Sequence, residues 1–96
     1  MISICIPVYN HDVSPLVNKL LKQAGSLGAN TEIFLLDDGS SDNFRNLNRN
    51  LGQLPGVCYK ELEENKGRSI ARNLLAGQAR YPYLLFLDCD ILPAGD

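Results

Sequence analysis

Short unbroken apolar runs alternating with helix-period stretches constrain this chain more than any other feature. The runs are Ile2 to Pro7, Glu32 to Asp37 and Tyr83 to Leu87, with a weaker, partly polar third one from Val57 to Leu62 between the last two. A run of this length without polar alternation suits a strand covered on both faces, as in a parallel sheet. Between the first two runs, Ser14 is placed to cap a helix with Pro15 at its first position. Leu16, Leu20, Ala24 and Leu27, with Val17 and Leu21 beside them, then form a stripe at helical spacing, and Gly25 and Gly28 weaken its end. After the second run, Ser40 and Ser41 can cap a helix with Phe44, Leu47 and Leu51 on one side. The third run follows the Pro55-Gly56 turn and leads through Asn65-Lys66-Gly67 to a helix with Ile70, Ala71, Leu74 and Leu75 on one face. The fourth run reads as another buried strand. Strand, helix, strand in this order predicts an α/β fold with a parallel sheet and right-handed crossovers. An open sheet of this class usually continues past a fourth strand. Residues 1–96 are therefore expected to form a single partial domain, truncated after Asp88-Cys89-Asp90. An apolar surface or an open sheet edge is then a route to self-association.

Charge and cysteine usage narrow the partners. The net charge of −2 argues against nucleic acid, since phosphate-backbone binders carry a basic excess. It leaves room for one small phosphorylated ligand. Cys5, Cys58 and Cys89 show neither CxxC pairing nor metal-ligand spacing with His11, which reads as a reducing compartment with thiols used as small hydrophobes. The apolar start stops at Pro7 without a basic lead, unlike a signal peptide. No run approaches the roughly 20 residues that span a bilayer. These features predict a cytoplasmic chain with no membrane segment of its own, while a parent enzyme at the inner face of a membrane stays open.

Polar residues gather where the strands end: Pro7-Val8-Tyr9-Asn10, Asp37-Asp38-Gly39-Ser40, Asn65-Lys66-Gly67-Arg68 and Asp88-Cys89-Asp90. Ligands of open parallel sheets bind outside the carboxyl ends of the strands, so these loops define one candidate rim. Asp88 and Asp90 either solvate a turn or hold a hard cation such as Mg²⁺ or Mn²⁺, which completes its shell with water and phosphate oxygens. Of Asp37 and Asp38, one can face a ligand and accept the imino N–H of a uracil or guanine, while the other braces the Gly39-Ser40 turn. Tyr9 stacks on a base or packs against its loop. Arg68 can bond base carbonyls or phosphates. Arg72 reads as an exposed or salt-bridged helix residue, His11 as an exposed loop histidine, and Cys89 as a small residue between two acids.

Taken together, Ile4-Cys5-Ile6-Pro7-Val8-Tyr9-Asn10, the stretch Glu32 to Asp42, Asn65-Lys66-Gly67 with Ala71-Arg72-Asn73, and Phe86-Leu87-Asp88-Cys89-Asp90 resemble family 2 glycosyltransferases. The motifs stand in the family's order over nearly the whole chain. The resemblance implies the N-terminal half of a GT-A fold, a Rossmann-like three-layer α/β/α arrangement with a mainly parallel sheet. It implies an inverting hexosyltransferase-type reaction from a nucleotide-diphospho-sugar, most often a UDP-sugar, to an acceptor hydroxyl. In it, Pro7, Val8, Tyr9, Asp37 and Asp38 hold the nucleoside with Arg68 near the base. Asp88 lies near the ribose or metal, and Asp90 is the main ligand of Mn²⁺ or Mg²⁺. The family's catalytic base lies beyond the DxD motif, so no catalytic residue is expected within residues 1–96 and the isolated chain is expected to be inactive.

A rival reading is a non-catalytic nucleotide-binding module or truncated remnant. Phosphotransfer domains fit less well. Receiver domains carry their acidic pair after the first strand, and the haloacid-dehalogenase type places DxD there. A redox Rossmann domain would need GxGxxG where Pro7-Val8-Tyr9-Asn10 stands.

Overall fold

A computed structural model describes residues 2–27, 31–79 and 83–89. The elements run β1 (Ile2–Val8), α1 (Ser14–Leu27), β2 (Thr31–Asp38), α2 (Asp42–Asn48), a 3-10 turn (Arg49–Gln53), β3 (Val57–Leu62), α3 (Arg68–Gln78) and β4 (Tyr83–Phe86). All strands pair in parallel, in the order β3-β2-β1-β4.

Alternation along the two central strands sorts the core into two layers. Ile4, Ile6 and Val8 of β1 and Ile33 and Leu35 of β2 meet Leu16, Val17 and Leu20 of α1 on one face, joined by Leu51 from the 3-10 turn. Cys5, Phe34 and Leu36 face the other way and pack on Ala71 and Leu75 of α3. Each large aliphatic side chain buried this way contributes about 1.5–3 kcal/mol relative to leaving it in water. Every residue of β2 after Thr31 is buried, which is why its sequence shows no polar alternation.

Four expectations are corrected. β4 is not a buried strand: among the described residues it pairs only with β1, so Leu84 and Leu85 are exposed and Tyr83 is 69% exposed. Of the Phe44, Leu47 and Leu51 stripe only Leu51 is buried: Phe44 is half-buried and Leu47 is 53% exposed, because α2 ends at Asn48 and tightens into a 3-10 turn, so Leu51 does not continue the α-helical face of the other two. Only Ala71 and Leu75 of the α3 stripe are buried, whereas Ile70 and Leu74 stay exposed. Finally, Ser14 is the first residue of α1 rather than its cap. Its N–H is received by Asp12 Oδ1 at 2.9 Å, and Val13 O accepts the first helical bond from Val17.

Candidate functional site

The carboxyl ends of the strands meet around a cavity of about 500 Å³. It opens where β1 has β2 on one side and β4 on the other, the point at which strand order reverses. Pro7, Val8, Tyr9 and His11 line it from the end of β1, and Asp38 from the end of β2. Asn65, Gly67 and Arg68 come from the entry to α3, and Asp88 and Cys89 from beyond β4.

The Asp37-Asp38 pair divides its work. Asp37 is fully buried and does not line the cavity. Its Oδ1 accepts the Ser40 N–H at 2.8 Å and Arg45 Nε at 3.3 Å, which braces the Gly39-Ser40 turn. Its Oδ2 is buried without a hydrogen-bond partner among the described residues. Arg45 in turn donates to Leu62 O and lies 4.0 Å from Glu61. Arg49 and Tyr59 also donate to Glu61, and the hydrogen bond from Arg49 is the main reason its carboxyl sits below the ordinary range.

Asp38 reaches the cavity and organises it. Its Oδ1 accepts the Lys66 N–H at 2.7 Å, and its Oδ2 accepts the Gly67 N–H at 3.0 Å and Asn65 Nδ2 at 3.2 Å. These bonds satisfy backbone donors at the start of α3, where a negative charge also suits the helix dipole. The loops approach so closely that a Cβ on Gly39 (φ +77°) would lie 2.9 Å from Asn65 Cα and nearer still to its nitrogen. Glycine is required there both for its backbone angle and for the contact.

A second set of polar bonds shapes the Tyr9 loop. Asn10 adopts φ +48°, a left-handed conformation that asparagine tolerates. Its N–H reaches Ser40 Oγ at 2.8 Å, while its Oδ1 receives the Ser41 N–H at 2.9 Å. Ser40 is thus spent on the loop, and Ser41 stands at the N-cap of α2 without a side-chain capping bond. Buried Asn48 receives the Val13 N–H at 3.0 Å and donates to His11 O at 2.7 Å. With both neighbours anchored, the half-exposed Tyr9 ring is left at the cavity wall.

Across the cavity the Arg68 guanidinium forms an ion pair with Asp88, both side chains being well exposed. Asp88 therefore already faces a cation, and its oxygens suit a hard metal ion that draws its remaining ligands from phosphate and water. Among the described residues no group of three or more His, Cys, Asp or Glu could hold a metal. Asp90 lies outside the described residues.

Of the residues singled out in the sequence, Pro7, Val8, Tyr9, Asp38, Arg68 and Asp88 thus share one cavity, and Asp37 supports it from beneath. His11, Asn65, Gly67 and Cys89 also line it. Asn65 and Gly67 were legible as the loop before α3, but nothing local marks His11, whose place depends on Asn48. The described cysteines are free, and burial pushes the Cys5 thiol up, which makes it an unreactive core group.

The model of the family described as Glycosyl transferase family 2 matches residues 3–96. The undecaprenyl-phosphate 4-deoxy-4-formamido-L-arabinose transferase of Edwardsiella ictaluri (strain 93-146) is 34% identical, over 94% of this chain and 29% of its own length. A crystal structure of S. aureus TarS 1-349 superposes with a TM-score of 0.76 at 27% identity, covering 93% of this chain and 27% of that one. The same TarS fragment in complex with UDP and with UDP-GlcNAc gives TM-scores of 0.72 and 0.66 at 28% and 26% identity. Both cover 93% of this chain, and 27% and 26% of theirs. The Pyrobaculum calidifontis mannosyltransferase PcManGT, in complex with GDP-Man and Mn²⁺, shares the fold at a TM-score of 0.76 and 20% identity, over 98% of this chain and 28% of its own. The chain therefore spans less than a third of each of these proteins, and its fold is that of their GT-A architecture. No helix among the described residues is long and apolar enough to cross a membrane.

Proposed function

The chain belongs to glycosyltransferase family 2, and on that premise we propose that its cavity binds the donor, a nucleotide-diphospho-sugar, with UDP as the favoured nucleotide. The observation that carries the reading is that Asp38 at the end of β2, Arg68 at the start of α3 and Asp88 beyond β4 converge with Pro7 to Tyr9 on one cavity. Its volume lies within the range of small-molecule sites. The complexes of TarS with UDP and UDP-GlcNAc support it from a related protein of the same fold.

In this reading Pro7, Val8 and Tyr9 form the wall against the nucleoside, with the Tyr9 ring stacked on the base. Such a contact is worth roughly 1–3 kcal/mol in nucleic-acid systems. Asp38 accepts the imino N–H of the base: a carboxylate offers about four lone-pair positions, and the bonds from Lys66, Gly67 and Asn65 leave one at Oδ1. Arg68 then bonds base carbonyls or phosphate, and Asp37 acts only through the turn it braces. Asp88 and Asp90 hold Mn²⁺ or Mg²⁺, with Asp90 as the main ligand. Such an ion supplies Lewis-acid stabilisation of charge on a departing diphosphate. The transfer is inverting, an acceptor hydroxyl attacking the anomeric carbon in line with the diphosphate and losing its proton to a carboxylate base. No described residue is assigned that base, and we propose that the isolated chain binds nucleotide without transferring sugar.

Calorimetric titration with UDP and GDP, with and without Mn²⁺, tests the reading on the wild type and on Asp90→Ala. UDP binding strengthened by Mn²⁺ in the wild type alone is expected. Binding of neither nucleotide would overturn the donor site, and metal-dependent binding that survives in Asp90→Ala would overturn the role of Asp90.

A further inference from the structure

Arg45 does not line the nucleotide cavity, yet its guanidinium spans the last two rungs of the β2–β3 ladder. In that ladder Asp37 stands opposite Glu61, and Asp38 opposite Leu62. Arg45 Nε donates to Asp37 Oδ1 at 3.3 Å, one terminal nitrogen donates to Leu62 O, and the other lies 4.0 Å from Glu61. The two residues it bonds are the chain neighbour of Asp38 and the partner of Asp38 across the ladder. Asp38 is thus flanked on both sides by groups bound to one cation. Glu61 is fixed in turn by Arg49 and Tyr59, so the clamp has support from β3 and from the 3-10 turn.

Placement matters for Asp38 because little of its bonding capacity is left. Its oxygens already serve Lys66, Gly67 and Asn65, which leaves one lone-pair position at Oδ1 for a ligand. Hydrogen bonds weaken steeply with misalignment, so a small rotation of the β2 end would misdirect that position. Leu62 closes β3 and opens the segment that leads to Asn65, Lys66 and Gly67. The bond from Arg45 therefore fixes the origin of the same loop that Asp38 holds at its far end. Donors in three directions from one planar group suit arginine, whereas a lysine ammonium offers a compact point charge.

We propose that Arg45 is a positioning residue for base recognition: by clamping Asp37 to the end of β3 it aims the remaining lone pair of Asp38 at the imino N–H of the base. The preference of the site for bases that carry this group is then set partly from outside the cavity. The proposal rests on the nucleotide reading above and adds to it a determinant that touches no ligand.

The test compares uridine with uridine methylated at its imino nitrogen, by NMR-detected titration of the full chain. The two ligands differ only at the group that Asp38 accepts, so the ratio of their affinities reports that bond. It is measured in the wild type, in Arg45→Lys and in the double variant Asp37→Asn with Arg45→Met. Lysine keeps a charge beside Asp37 but loses the second donor to Leu62 O. The double variant removes both charges together, which leaves no unpaired carboxylate inside and guards against a single variant that fails to fold. A charge-assisted bond predicts a wild-type preference for uridine of roughly tenfold or more. In both variants the preference should collapse toward parity, chiefly through weaker uridine binding. A merely structural role would weaken both ligands alike, and a wild-type ratio in either variant overturns the proposal. A wild type that binds neither ligand overturns the nucleotide reading, and one that binds both equally overturns the Asp38 contact; the role of Arg45 falls with either.

Discussion

Replacing Asp38 with asparagine changes one atom in the side chain and should cost more stability than most surface substitutions. In the wild type, one carboxylate oxygen serves Lys66 N–H and the other serves Gly67 N–H and Asn65 Nδ2. An amide keeps one acceptor. Whichever way it turns, its NH₂ group faces a backbone donor. One charge-assisted bond is lost, at about 1.5–3 kcal/mol, and a partly buried N–H is left without a partner, at about 1 kcal/mol more. Removing the charge from the start of α3 adds about 0.3–1 kcal/mol. The sum is about 3–5 kcal/mol, a large share of the roughly 5–15 kcal/mol that holds a typical domain together. For a chain of this size it corresponds to a fall in Tm of roughly 15 °C or more. Urea and thermal unfolding measure the loss, and hydrogen exchange at the Lys66 and Gly67 amides shows where it arises. A Tm within about 2 °C of wild type, with those amides equally protected, would refute the claim that Asp38 holds the loop.

Two further outcomes follow from single contacts. Gly39 and Gly56 both have positive φ, but a Cβ on Gly56 meets only Thr31 O at 3.5 Å, whereas on Gly39 it meets the Asn65 backbone. Gly56→Ala should therefore show backbone strain of about 1–2 kcal/mol and Gly39→Ala distinctly more; equal losses in urea unfolding would contradict the close approach of the two loops. Glu61 has its carboxyl pKa lowered from the ordinary 4.5, chiefly by the Arg49 hydrogen bond, so its contribution is complete above that pH and lost as pH falls through the lower folded value. Stability of the wild type should drop relative to Glu61→Gln in acid below pH 4.5, and parallel curves for the two proteins would argue against the pairing.

Regular structure and the site were legible for different reasons. The strands showed because β1 and β2 are buried on both faces, which forces continuous apolar runs, and the order of strand and helix then placed the polar loops on one rim. Which acid of Asp37-Asp38 faces the cavity could be posed from strand alternation but not answered, because the strand runs through both residues. Asn48 was missed because its burial depends on two backbone groups of the Tyr9 loop, 35 and 37 residues away, and no periodicity encodes that. Ser14 and Asp12 are both capping residues within one loop, and only the folded path of Val13 decides between them. Arg68 and Asp88 were each picked out, but their pairing depends on α3 and β4 meeting across β1.

That pairing has a consequence for how a ligand would enter. With Arg68 on Asp88, each of these two charges already has a counter-ion within the cleft. On the proposed reading, an arriving nucleotide would not fill a bare electrostatic hole; it would exchange partners, taking the guanidinium while a cation takes the carboxylate. The net gain is then a difference between two ion-pair arrangements, each already compensated. Affinity for nucleotide alone and for cation alone should both be modest, and the two ligands should favour each other's binding by the same factor. Neither alone leaves both charges satisfied.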